Sequence, residues 1–158
     1  MPTKFRLRAN ELSTSIFRPH GFVESRIDGN ILVQEATGPF NKEFVWAMAS
    51  ANAEARVQLV SIGPWGAILV FKHSALASLE MLREFGKYLA TQVRKGQASV
   101  ATALVMSPEV EGASIMSPHY LRVWAEAGIV CQHFDSISGA ATWIRSLLRP
   151  ALESQQQV

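Results

Sequence analysis

The side chains able to do covalent or acid–base chemistry are few: one cysteine (Cys131), four histidines (His20, His73, His119, His133) and two aspartates (Asp28, Asp135). No histidine belongs to an H-E-x-x-H pair, and one cysteine cannot build a thiolate cage, so the sequence points to no metal. There is no G-x-S-x-G elbow, no Walker run and no G-x-G-x-x-G. Neither a nucleophile elbow nor a nucleotide cradle is therefore indicated, and no cofactor is expected. Cys131 and His133 alternate onto one face of an expected strand, which sets a thiol beside a base. The plainer reading is a small packed residue next to a strand-end histidine. Glu80 and Glu84 lie one helical turn apart, as on a solvated helix face.

The stretch Phe71-Lys72-His73-Ser74-Ala75 is more suggestive. It ends an apolar run, and function in parallel α/β sheets gathers at the carboxyl ends of strands. Ser74 at the start of the next helix, flanked by Lys72 and His73, would suit a phosphorylated serine or a bound anion. The same serine is also an ordinary helix cap. Three tryptophans are candidate ligand or partner contacts. Trp46 falls off its helix's apolar stripe, as an exposed anchor for a partner or a second copy would. Trp65, in the turn Gly63-Pro64-Trp65-Gly66, either shields a pocket or packs on the sheet edge. Trp124 belongs to an expected core that could also line a cavity.

The elements that must position these residues follow from periodicity and punctuation. Val23, Ser25 and Ile27 alternate with Glu24 and Arg26, Asp28-Gly29-Asn30 turns the chain, and Ile31–Ala36 returns, which predicts an antiparallel hairpin. Asn41 caps a helix with Phe44, Met48, Ala51 and Ala55 inward. AILVF (67–71) and VATALVM (100–106) read as strands covered on both faces. Between them the spacing predicts a helix over 75–94 with Ser74 as its cap and Leu79, Leu82, Phe85, Leu89 and Val93 inward. Ser107-Pro108 predicts a short turn. Ser117-Pro118 predicts a helix start, with Leu121, Trp124 and Ala125 inward and Gly128 at its end. IVCQHF (129–134) is the last strand. Asp135 or Ser136 caps a final helix using Ile137, Ala141, Ile144 and Leu148, and Pro150 is expected to stop it. The whole reads as one α/β domain over 20–150 with a mixed, mostly parallel five-stranded sheet. A basic extended arm (1–19) precedes it and a disordered tail (151–158) follows.

At 158 residues and 48 % apolar composition the chain is the size and make-up of one globular domain. The net charge of +2 is too small for a general polyanion binder. Lys4, Arg6, Arg8, Arg18 and Arg26 against Glu11 and Glu24 place the positive excess in the arm. No aromatic–basic interleaving suggests nucleic acid. No apolar run approaches the ~20 residues of a membrane span. The opening residues do not resemble a secretory signal, and with a single cysteine the expected location is the cytoplasm.

The segments ILVQEATGPFNKE, AILVF leading into SALASLEMLREFGKYL, and AGIVCQHFDSISGAATWIRSL together resemble the STAS domain, the SpoIIAA-like fold, and more closely its STAS/SEC14-like branch. The resemblance spans about residues 22 to 148. It implies a non-enzymatic regulatory or protein-interaction module, probing a protein partner or itself as a homo-oligomer. The SEC14-like branch suggests instead a small apolar or lipid-like ligand. Regulatory members carry a phosphorylated serine in a D-S-S-G-like stretch that opens the helix after the third strand. Ser74 is the matching position, with the acidic residue and the glycine missing. A carrier would need a cavity lined by residues such as Met48, Leu82, Phe85 and Trp124. An enzyme would need a carboxylate or oxyanion site beside Ser74, His73 or His119.

Overall fold

The computed structural model describes residues 19–157, so the expected basic arm lies outside the described residues except for Pro19. The elements run β1 (Phe22–Asp28), β2 (Ile31–Thr37), α1 (Lys42–Ile62), β3 (Gly66–Lys72), α2 (Leu79–Arg94), β4 (Ala101–Val105), α3 (Ala113–Ala127), β5 (Val130–Phe134) and α4 (Ile137–Gln156). They build the expected mixed five-stranded sheet in the order β1-β2-β3-β4-β5. The β1–β2 pair is antiparallel and the other pairs are parallel. The hairpin turns on Gly29-Asn30, and only Gly29 takes a positive φ, 61°. Glycine at the first position of a two-residue loop supplies the backbone twist that the strands need.

Each parallel strand is added to the same edge, so right-handed crossovers carry α1, α2 and α3 onto one face of the sheet. Ala36, Leu69 and Leu104 point into that three-helix layer. Ile68, Val70, Ala103 and Val105 point the other way, against Ala140, Ile144 and Leu148 of α4. β4 is buried throughout, and β3 everywhere but Lys72, as their unbroken apolar runs predict. Gly66 lets α4 come close, because a Cβ there would press on Ile144. Asn41 caps α1 as expected: its side-chain oxygen accepts the Phe44 N–H at 3.2 Å and the His20 N–H at 2.9 Å. The α1 stripe of Phe44, Met48, Ala51 and Ala55 is buried.

Several expectations are corrected. Helix α2 begins at Leu79 and its cap is Ser78, whose hydroxyl accepts the Met81 N–H. Ser74 is not a cap, because residues 73–75 first run beside Glu111. The α2 core face is rotated accordingly: Met81, Phe85, Leu89 and Gln92 are buried, while Leu79 and Val93 are exposed. Helix α3 begins at Ala113, behind Gly112, and runs through Pro118. Burying a side chain such as Met116 is worth about 1.5–3 kcal/mol, enough to offset the roughly 3 kcal/mol cost of an interior proline. Of the side chains expected inward on α3, Trp124 is buried but Ala125 is exposed. Helix α4 passes through Pro150 to Gln156, so residues 151–156 are helical rather than a disordered tail. Its end reaches the turn after α1, where the Gln155 amide approaches Gly63.

The Asn41 cap offers a direct test. Asn41→Ala removes the side-chain oxygen that the Phe44 and His20 N–H groups share and should cost about 1 kcal/mol. A chain of this size then loses about 2–4 °C in a thermal melt.

Candidate functional site

The segment after β3 keeps Ser74 apart from Lys72 and His73. Ser74 is buried, and its hydroxyl accepts the Leu76 N–H at 3.2 Å. The backbone around it is locked: Glu111 N–H donates to the His73 carbonyl at 2.9 Å, and Ala75 N–H donates to the Glu111 carbonyl at 2.8 Å. His73 holds a φ of 62°, a left-handed conformation that histidine tolerates better than most side chains. Lys72 and His73 are exposed, and the Lys72 ammonium sits 3.2 Å from the Glu35 carboxylate. These two line an open depression with Ser107, Asp135 and Ser136, a depression that Ser74 does not reach. His119 lies elsewhere, in the groove between α2 and α3. Among the described residues, no three His, Cys, Asp or Glu side chains come together as a metal ion would require.

A partly enclosed apolar space lies between the sheet and the three-helix layer. A cavity of about 80 Å³ lies there, with mostly apolar walls from β2, β3, α1, α2 and α3. Met48, Phe85 and Trp124 line it, as a carrier would need; Leu82 does not. The walls include Leu32, Gln34 and Ala36 along β2 and Ala67, Leu69 and Phe71 along β3. Leu32 to Ala36 is about 13 Å of strand, so the lining extends about that far along the sheet.

Its two ends differ. At the carboxyl ends of the strands, aromatic rings close it. Phe71 stacks on Phe40 and on Tyr120, with ring centroids 6.0 and 4.8 Å apart. The Tyr120 hydroxyl donates to the Ala75 carbonyl at 2.7 Å, and burial pushes that hydroxyl well above the ordinary tyrosine range. At the amino ends the walls are polar and half-buried, formed by Arg56, Tyr88, Gln97 and Ser99. The Arg56 guanidinium donates to the Tyr88 hydroxyl at 2.6 Å. Burial raises the Tyr88 pKa, and the Arg56 charge opposes that shift only in part. Trp65 stands at this end as well. It is buried against Ile27, Leu32 and Leu59, and its ring both packs on the sheet and walls the cavity.

One wall residue differs from all others. Gln92 is 7 % exposed, and its Oε1 is the buried side-chain oxygen without a hydrogen-bond partner among the described residues. An acceptor left in that state costs about 1–3 kcal/mol. The neighbouring polar walls are satisfied within the chain. Ser25 donates to Asn52 at 2.8 Å, Gln34 donates to Ser25 at 3.4 Å, and the Ser99 and Thr102 hydroxyls pair at 3.0 Å. Sequence reasoning missed Gln92 because a glutamine on an amphipathic helix reads as outer face. Its spacing of seven from Phe85 was the available signal.

Of the other tryptophans, Trp124 is buried against Phe85, with centroids 4.9 Å apart. Trp46 is 48 % exposed, and its indole N–H donates to Glu84 at 3.3 Å. Hydrogen bonding from Lys87, with help from Trp46, holds the Glu84 carboxyl below the usual range.

No protein-family model, curated protein or solved structure matches this chain. Among the described residues, no helix is long and apolar enough to cross a membrane.

Cys131 and His133 do share a face of β5, opposite Thr102 and Leu104, but they do not form a reactive pair. The His133 Nε2 lies 3.0 Å from the Met106 carbonyl. Burial pushes the Cys131 thiol up to about 12, although a backbone hydrogen bond from Gln132 works the other way. The thiol is therefore protonated at neutral pH. Iodoacetamide at pH 8 should alkylate native Cys131 at least about a hundredfold more slowly than the unfolded chain. Because the folded pKa is raised, this group's contribution to stability is complete below the unfolded value and fades as pH rises through about 12.

Proposed function

We propose that this chain is a non-catalytic module that takes up a small apolar molecule between its three-helix layer and its sheet. The observation that carries this reading is the cavity of about 80 Å³. One water needs only about 10–15 Å³, so the space exceeds a packing defect. At about 24 cal/mol per Å³, keeping it open costs on the order of 2 kcal/mol. Close-packed interiors do not generally retain such a void. The resemblance to the STAS/SEC14-like branch supports the same direction.

A second reading has its own support. Trp46, Val57 and Val60 follow one another along the outer side of α1, and all three are exposed. That stripe suits a protein-interaction surface, for a partner or a second copy of the chain, as the regulatory STAS reading expects. The Trp46 bond to Glu84 already gives the indole a role within the monomer, so the cavity is the stronger basis.

Native mass spectrometry of protein purified gently from its own cells should show added mass that is lost on denaturation. Ala36 faces the cavity and is buried. Ala36→Val should fill part of the space, abolish the added mass and raise stability by about 1 kcal/mol. Bare protein, together with an Ala36→Val variant destabilised by overpacking, would mean that the cavity holds no ligand.

A further inference from the structure

The cavity's one unpartnered acceptor also specifies the head of its ligand, an inference that rests on the ligand-binding reading above. Gln92 is held in the last part of α2. Its Oε1 is buried and unbonded, whereas Gln34, Asn52, Tyr88 and Thr102 bond within the chain. A ligand that donates a hydrogen bond there removes a penalty the free protein carries. The opposite end, closed by Phe40, Phe71 and Tyr120, offers only an apolar seat for a tail.

Charge narrows the class. A carboxylate could pair with the Arg56 guanidinium, but it has no proton to give and would leave the Gln92 oxygen unbonded. An ammonium would donate but would meet the Arg56 guanidinium on the same half of the cavity. A hydroxyl donates and carries no charge. The lining, which extends about 13 Å along the strands, fits a linear chain better than a fused ring system. We propose that Gln92 Oε1 accepts a hydrogen bond from the hydroxyl of a linear aliphatic alcohol, whose chain runs between α1, α2 and the sheet toward Phe71 and Tyr120.

Two isomers isolate the donor. 1-Pentanol and butyl methyl ether have the same atoms, but only the alcohol can donate. In ¹⁵N-resolved NMR titrations of the wild-type chain, 1-pentanol should bind about tenfold more tightly than the ether. It should also move the Gln92 side-chain NH₂ signals, which the ether should leave in place. In Gln92→Met, which keeps the length and removes the acceptor, the two should bind within about twofold of each other. Equal affinities in the wild type, an alcohol preference that survives in Gln92→Met, or tighter binding of pentanoate would each overturn the assignment of the head while leaving the cavity as a binding site. Failure of both isomers to bind the wild type would overturn the ligand-binding reading itself. Should Gln92→Met fail to fold, the wild-type comparison and its NH₂ signals decide the matter alone.

Discussion

The double burial of β3 and β4 is the constraint from which the rest of the structure follows. A parallel strand in mid-sheet has no face left for water, so both of its faces must be apolar and both must be covered. Three successive crossovers of one hand put three helices on the same side, leaving the other side to a single helix, α4. Charged side chains are sparse in the middle of the sheet. Glu24 and Arg26 lie on β1 and Gln132 and His133 on β5, while among the inner strands Glu35 of β2 and Lys72 of β3 pair with each other near the ends of their strands. The middle of β3 and all of β4 carry no charged side chain.

The three-helix side is where covering and filling part company. The sheet wall of the cavity includes the small residues Ala36 of β2 and Ala67 of β3. Helix α2 instead presents Met81, Phe85 and Leu89. Small residues on one side of a wedge and large ones on the other do not interdigitate to full density, and the remainder is the cavity. The aromatic group around Phe71 seals one end, so the space is a blind slot rather than a channel through the layer.

Much of this was legible in the sequence. Period-two alternation gave the hairpin, unbroken apolar runs gave the two central strands, and Asn41 with its Phe44–Met48 stripe gave α1. The errors share one physical origin: local signals lost to long-range contacts. Ser74 has the chemistry of a cap, but residues 73–75 are held by Glu111, and the helix waits for Ser78. That delay turned the α2 face and hid Gln92, whose Oε1 is buried and unpartnered among the described residues. Ser117-Pro118 and Pro150 carry the marks of a helix start and a helix stop. Met116 and Tyr120 on α3, and the approach of Gln155 to Gly63 from α4, pull the helices through both. The cavity could be anticipated only as a list of large side chains, because a void is the difference between two packed surfaces and no sequence period encodes a difference.

The slot's polar end lies away from the carboxyl ends of the strands, where the sequence placed its candidate anion site. Ligands gather there in many parallel sheets because helix N-termini converge and present unpaired N–H groups to negative charge. Here that end is occupied by the Ser74–Glu111 bridge and the Tyr120 hydroxyl. The slot's polar half lies instead at the amino ends of the strands, beside the last turns of α1 and α2. Helix C-termini present carbonyl oxygens and the negative end of the helix dipole. Such surroundings disfavour phosphate and carboxylate and favour groups that donate a proton. Gln92 Oε1 therefore agrees in sign with the backbone around it, since both the last turn of α2 and the unbonded amide oxygen favour a hydrogen-bond donor.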